Sequence, residues 1–173
     1  MTLRSTLILL LGILVLPVIS KAQGQVFIFF DTECPICQKS SQRLQELYEK
    51  YHTNVAFKVV FSTKTLKKSA VKQFNKEYNF SVPYVIDKKH KLVEQYDAKT
   101  TPEVVLFNAQ NQEVYRGAID NQFFGLGKYR PKTTEFYLKT ALEALLKGET
   151  ITPNKTETVG CLINRKKAPA KIL

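Results

Sequence analysis

The residues best suited to chemistry in this chain are three cysteines, Cys34, Cys37 and Cys161. Two of them form the run Cys34-Pro35-Ile36-Cys37. A Cys three residues after another sits nearly one helical turn away, close enough to close a small disulfide ring. Pro35 suits the first turn of a helix, where its missing N–H costs nothing. Cys34 then lies at the helix tip, where free backbone N–H groups and the helix dipole favour a thiolate. An ordinary thiol with a pKa of about 8.5 is only a few per cent ionised at pH 7, and lowering the pKa to about 6 makes it mostly thiolate. The chemistry on offer is nucleophilic attack by Cys34 and resolution by Cys37. A static disulfide is the plain alternative. A four-ligand zinc site needs two further ligands, and His52, His90 and Cys161 stand at no recognisable spacing. Residue 38 is Gln rather than His, so this is not a c-type haem attachment sequence.

The elements around the pair explain how it would be held. Val26-Phe27-Ile28-Phe29-Phe30 is a continuous apolar run of β-formers, which predicts a buried strand delivering the chain to Cys34. A helix to about His52 follows, with Cys37, Ser41, Leu44, Tyr48 and Tyr51 on one stripe and Leu47 beside it. Val55 to Phe61 is a second strand. Ser62 and Thr63 are candidate N-caps for a helix over about Lys64 to Tyr78. Val82 to Ile86 is a short apolar run around Pro83, and Lys88 to Tyr96 can form one or two helical turns. Val104 to Phe107 is a third strand directly after Thr101-Pro102, and Glu113 to Ile119 pairs back on it as a hairpin. Asp120 to Lys132 reads as loop. Thr133 to Lys147 reads as an amphipathic helix, with Phe136, Tyr137, Ala141, Leu142, Leu145 and Leu146 inward and Gly148 as its stop. Alternating strands and helices followed by a hairpin predict an α/β fold, a mixed β-sheet flanked by helices.

Composition sets the class. With 173 residues, 44% hydrophobic and 24% charged, the chain has globular composition and room for one domain. Met1 to Ala22 reads as a secretory signal: Arg4, an apolar run from Leu7 to Leu16, and small residues Ser20 and Ala22 at the cleavage positions. The domain expected is 23–148, with a tail over 149–173 that docks around 159–163. Losing residues 1–22 would leave 151 residues and lower the formal charge from +11 to +9, because Arg4 and Lys21 go with them. Periplasmic or secreted localisation is the expectation. In an oxidising compartment paired cysteines tend to disulfides, and an odd count leaves one thiol to find another partner. Lys67, Lys68, Lys72 and Lys76 read as a solvated basic helix face, as do Arg165, Lys166, Lys167 and Lys171 in the tail. No recognition motif points to nucleic acid.

Cys34-Pro35-Ile36-Cys37 after an aromatic strand, then the run Thr100-Thr101-Pro102-Glu103-Val104-Val105-Leu106-Phe107 before the hairpin, resembles the thioredoxin-like superfamily, and more narrowly its exported thioredoxin and redoxin-domain proteins. The likeness covers roughly residues 25–147. It implies a thioredoxin-like mixed β-sheet flanked by helices and thiol–disulfide exchange with protein substrates and an upstream redox partner. It implies Cys34 and Cys37 as catalytic residues and as a redox-active disulfide. It also implies a cis bond at Thr101–Pro102 beside the dithiol, with Thr101 offering its backbone to a substrate chain. It calls for no cofactor and no metal. Membrane contact is expected only through an uncleaved signal segment. Thr158 to Ile163 resembles a closing motif of some exported redoxin-domain proteins, which makes Cys161 a possible auxiliary thiol with Cys34, the more exposed thiol, as its expected partner; an intermolecular disulfide, or a buried free Cys packing as a small hydrophobe, are the alternatives.

The chain also departs from that pattern. The buried acid common in thioredoxins falls at Ile28, so a proton acceptor for Cys37 is not evident. Glu103 is a candidate acceptor by its place after Pro102 but reads rather as a solvated strand-end charge, and Glu33 beside Cys34 would raise its pKa. A divergent peroxiredoxin-like peroxidase is one competing reading, but the positions of its Pro and peroxide-binding hydroxyl are Phe27 and Asp31 here. The other is a non-catalytic metal-binding or interaction module of the same fold.

Overall fold

The structure, a computed structural model, describes residues 22–165. The signal expected over 1–22 lies outside that range but for Ala22, as do Lys166, Lys167 and Lys171. Among the described residues no helix is long and apolar enough to cross a membrane.

The elements run β1 (Gly24–Phe30), α1 (Pro35–Tyr51), β2 (Val55–Phe61), α2 (Lys68–Glu77), β3 (Tyr84–Ile86) and α3 (Lys91–Gln95). They continue with β4 (Thr100–Thr101), β5 (Glu103–Asn108), β6 (Glu113–Gly117), β7 (Phe123–Gly125), β8 (Lys128–Tyr129), α4 (Tyr137–Lys147) and β9 (Cys161–Leu162). Five strands form the main sheet in the order β3-β2-β1-β5-β6. β1 is parallel to β2 and antiparallel to β5, so the sheet is mixed. Strand alternation sends Val26, Ile28 and Phe30 of β1 to one face, where they meet Leu44 of α1, Val71 and Phe74 of α2, and Leu138 and Leu142 of α4. Phe27 and Phe29 go to the other face, with Val105, Phe107 and Val93 of α3. Covering both faces is what makes β1 a continuous apolar run rather than an alternating one.

Several boundaries differ from the sequence reading, each for a local reason. Ser62 and Thr63 cap nothing: α2 begins at Lys68, with Lys67 extended before it, and Thr63 spends its hydroxyl on Asp31. α4 starts at Tyr137 rather than Thr133, because Asn121 holds the backbone N–H groups of Thr134 and Glu135 out of the helix. Phe136 is accordingly exposed, while Leu138 takes an inward place. The stretch 120–132 contains the small β7–β8 hairpin. Gly148 closes α4 with φ of 70°, a left-handed turn that suits glycine. The four lysines of α2 and its cap, Lys67, Lys68, Lys72 and Lys76, are exposed.

Residues 149–165 pack along the domain. Arg116 and Lys155 form a β-bridge, and Thr156 donates its backbone N–H to the Arg116 carbonyl. Gly117 admits Thr156: a Cβ there would lie 2.7 Å from the Thr156 carbonyl oxygen and 2.8 Å from its nitrogen. Beyond it, β9 pairs antiparallel with β4.

Candidate active site

Register decides what stands beside the thiols. β1 ends at Phe30 and the chain turns through Asp31–Glu33 into α1, with Cys34 as the N-cap and Pro35 at the first helical position. β5 runs the opposite way, with Phe29 opposite Glu103. The residues just before Glu103 therefore lie level with those just after Phe30, and Thr101 and Pro102 meet Cys34. The Thr101–Pro102 bond is cis. The Cys34 thiol donates to the Thr101 carbonyl at 3.2 Å.

Glu103 secures this corner, and it is not a solvated charge. It is 5% exposed. Its Oε2 accepts from the backbone N–H groups of Lys99 (2.7 Å) and Thr100 (3.1 Å), and its Oε1 pairs with Arg116 at 3.0 Å. The signal for this role lies in its position: a carboxylate three residues after Thr100 can bend back to accept from the N–H groups of the turn before Pro102. On the other side, Gln38 donates to the Thr32 carbonyl at 2.8 Å, and Asp31 accepts from Glu33 N–H at 2.9 Å and from the Thr63 hydroxyl. These contacts fix the loop before Cys34, and Asp31, Thr63 and Gln38 are site neighbours that sequence reasoning passed over.

The two thiols of the motif are driven apart electrically. Cys34 is lowered to about 5, first by the hydrogen bond from the Cys37 thiol, against the opposing effect of burial, with further donation from Cys161 and from backbone N–H groups. Cys37, fully buried, is pushed well above the usual thiol range, first by desolvation and then by the neighbouring Cys34 charge. The result is a thiolate at the helix tip and a protonated thiol beneath it, the division of labour that attack and resolution require. As a thiol Cys34 can donate to Thr101; as a thiolate it accepts from Cys37 and Cys161. Among the described residues no carboxylate is hydrogen-bonded to Cys37; its hydrogen-bonding neighbours are Cys34, the Asp31 backbone and the Thr101 side chain.

Cys161 reaches the same spot from the tail. Its sulfur lies 2.7 Å from the Cys34 sulfur, and all three cysteines are free thiols. Cys34 is not the more exposed thiol expected from the sequence: it is 2% exposed, while Cys161 is half-buried. The reason is that β9 lies over it. His90 is buried with its ring on the Ser62 carbonyl at 2.6 Å, and His52 closes the far end of α1. Among the described residues no group of three or more His, Cys, Asp or Glu side chains is arranged to hold a metal ion.

A mixed sheet flanked by helices, with a dithiol at a helix tip facing a cis-proline, defines a thioredoxin-like fold. Residues 19–122 match the Redoxin family, and the chain belongs to that family. It is 24% identical over 104 residues to thiol-disulfide oxidoreductase ResA of Halalkalibacterium halodurans, covering 59% of this chain and 58% of that protein. It is 29% identical over 94 residues to the Bacillus cereus protein of the same name, covering 54% of each. The chain thus spans little more than half the length of these curated relatives. An uncharacterised conserved protein of Geobacillus kaustophilus shares the fold with a TM-score of 0.73 at 23% identity, over 87% of this chain and 81% of the other.

Proposed function

We propose that this chain is an exported thiol–disulfide oxidoreductase that exchanges disulfides with protein substrates through Cys34 and Cys37. The observation that carries the reading is the opposed pair: Cys34 lowered to about 5 and Cys37 held protonated beneath it. The Redoxin membership and the names of the two curated relatives support the same class of reaction. The apolar run after Arg4 supports export, and with it a periplasmic or secreted setting.

The Cys34 thiolate attacks one sulfur of a substrate disulfide. The substrate S–S bond breaks, one substrate sulfur leaves as thiolate, and a mixed disulfide joins Cys34 to the other. Cys37 then gives up its proton to the departing thiolate and attacks the Cys34 sulfur. The second substrate sulfur leaves, the substrate is reduced by two electrons, and the Cys34–Cys37 disulfide remains. The upstream redox partner reverses the last change. A substrate running the other way would be oxidised by the same steps in reverse. Thr101 and Pro102 are proposed to form the edge along which the substrate chain lies.

The test is turnover of a disulfide-bonded peptide with a small dithiol as reductant. Cys34→Ser should abolish it, and Cys37→Ser combined with Cys161→Ser, which leaves no second thiol beside Cys34, should accumulate the mixed disulfide with the peptide on Cys34. Exchange that proceeds equally well in Cys34→Ser refutes the proposal.

A further inference from the structure

The edge assigned to the substrate is already occupied by the chain itself. β9 pairs antiparallel with β4, Cys161 opposite Thr101 and Leu162 opposite Thr100. The pairing is anchored on both sides. Thr158 and Thr100 share a hydroxyl hydrogen bond at 2.8 Å, Ile163 N–H donates to the Lys99 carbonyl at 2.9 Å, and Arg165 bonds Asp97 at 2.8 Å and the Ala98 carbonyl. Strand alternation sends Leu162 out, 83% exposed, and turns Cys161 inward onto Cys34. Gly160 makes the approach possible. A Cβ there would stand 2.7 Å from the Thr101 carbonyl carbon, closer still to its oxygen, and 3.2 Å from Pro102 nitrogen. An extended segment on the cis-proline edge, with a sulfur 2.7 Å from the attacking sulfur, has the placement a substrate cysteine needs.

We propose that Cys161 is a third redox thiol of this protein, presented to Cys34 by β9 in the place of a substrate cysteine, so that the oxidised chain exchanges between Cys34–Cys37 and Cys34–Cys161 disulfides. This rests on the oxidoreductase reading for the origin of the oxidised state. The exchange itself balances internally. Cys161 loses its proton to water and attacks the Cys34 sulfur. The Cys34–Cys37 bond breaks, its electron pair leaves on the Cys37 sulfur, and Cys37 takes up a proton. One disulfide and one thiol stand on each side, with no net oxidation. In the reduced chain both thiols that compete for Cys34 are held protonated beside it, chiefly by burial. The consequence is a relay. Cys34 is buried beneath β9 and Cys37 in the core beside it, whereas Cys161 is half-buried at the surface and is the sulfur an outside thiol meets first.

The test uses the full chain, reduced and then treated with one equivalent of glutathione disulfide, acid-quenched, alkylated and mapped by mass spectrometry. In Cys37→Ser, Cys34 should form an intramolecular bond to Cys161 that displaces glutathione, because a neighbouring thiol acts at an effective concentration of about millimolar or more. Wild-type protein should divide into molecules alkylated at Cys161 and molecules alkylated at Cys37, and Cys161→Ser should show the Cys34–Cys37 bond alone. The inference is overturned if Cys37→Ser stops at a glutathione adduct on Cys34 with Cys161 alkylated, or if wild type is alkylated at Cys161 only. Peptide-disulfide turnover, measured in parallel, separates the two proposals. A Cys34–Cys161 bond without turnover removes the oxidoreductase reading and leaves the pairing. Turnover without that bond does the reverse.

Discussion

Titration of the reduced protein puts the site electrostatics to a direct test. Thiolate ultraviolet absorbance needs no reagent to reach the buried sulfur. One thiolate should appear with a midpoint of about 5, while the Cys37 and Cys161 thiols stay protonated well past the ordinary thiol range. The same shift has a stability counterpart. Taking an unfolded pKa of about 8.5, a folded value of about 5 favours the folded state at pH 7 by about 2–3 kcal/mol, at about 1.4 kcal/mol for each unit. A depressed pKa contributes fully above the unfolded value and is lost as pH falls through the folded one. The contribution should therefore fade between about pH 8.5 and pH 5. The raised thiols work the other way: Cys37 and Cys161 begin to cost stability as pH rises above about 8.5. Acid affects carboxyl groups as well as the thiolate, so the quantity to measure is the difference in unfolding free energy between reduced wild type and reduced Cys34→Ser. Cys161→Ala removes one of the donors to the thiolate. A hydrogen bond to a charged group is worth about 1.5–3 kcal/mol, so the midpoint should rise by about one to two units. A wild-type midpoint near 8.5, or no movement in Cys161→Ala, refutes the account of how Cys34 is activated.

Three further outcomes follow from the packing. Glu103→Ala strips two backbone N–H groups and Arg116 of their acceptor and should destabilise the protein by about 3 kcal/mol in denaturant unfolding, with Glu103→Gln costing about half as much; a loss under about 0.5 kcal/mol in both would show that the carboxylate does not hold the Thr101–Pro102 corner. Gly160→Ala overpacks the β9 contact by about 1–3 kcal/mol, so the segment should open about ten- to a hundredfold more often, read as faster iodoacetamide capture of Cys34; an unchanged rate would mean that β9 does not control access. Leu44→Ala should cost about 3 kcal/mol, because the side chain is fully buried between α1 and the sheet, and a cost below about 1 kcal/mol would contradict that packing.

The local chemistry was legible in the chain because it is written in short-range patterns. The apolar run Val26–Phe30, the spacing of Cys34 and Cys37, Pro35 at the helix start and the hairpin after Val104 each depend on neighbours within a few residues. The strands over 26–30, 55–61 and 104–107 fall where these patterns place them. Helix starts were less legible. Asn121 bonds across the chain to Thr134 and Glu135, and no local pattern announces that α4 must wait for Tyr137. Glu103 carried the wrong environment for the same reason: its partner Arg116 lies on the next strand, and only pairing buries the two together. The tail motif pointed to Cys161 as a partner for Cys34, but only tertiary structure decided that the two sulfurs meet. Nothing in the spacing of residues 34 and 161 brings them together. The antiparallel register of β1 and β5 sets Thr101, just before the β5 ladder begins at Glu103, beside Cys34, and the pairing of β4 with β9 sets Cys161 opposite Thr101, so the sulfurs meet. Backbone pairing is additive in register but invisible to composition, so the sequence names the reacting atoms and the fold determines which of them can reach one another.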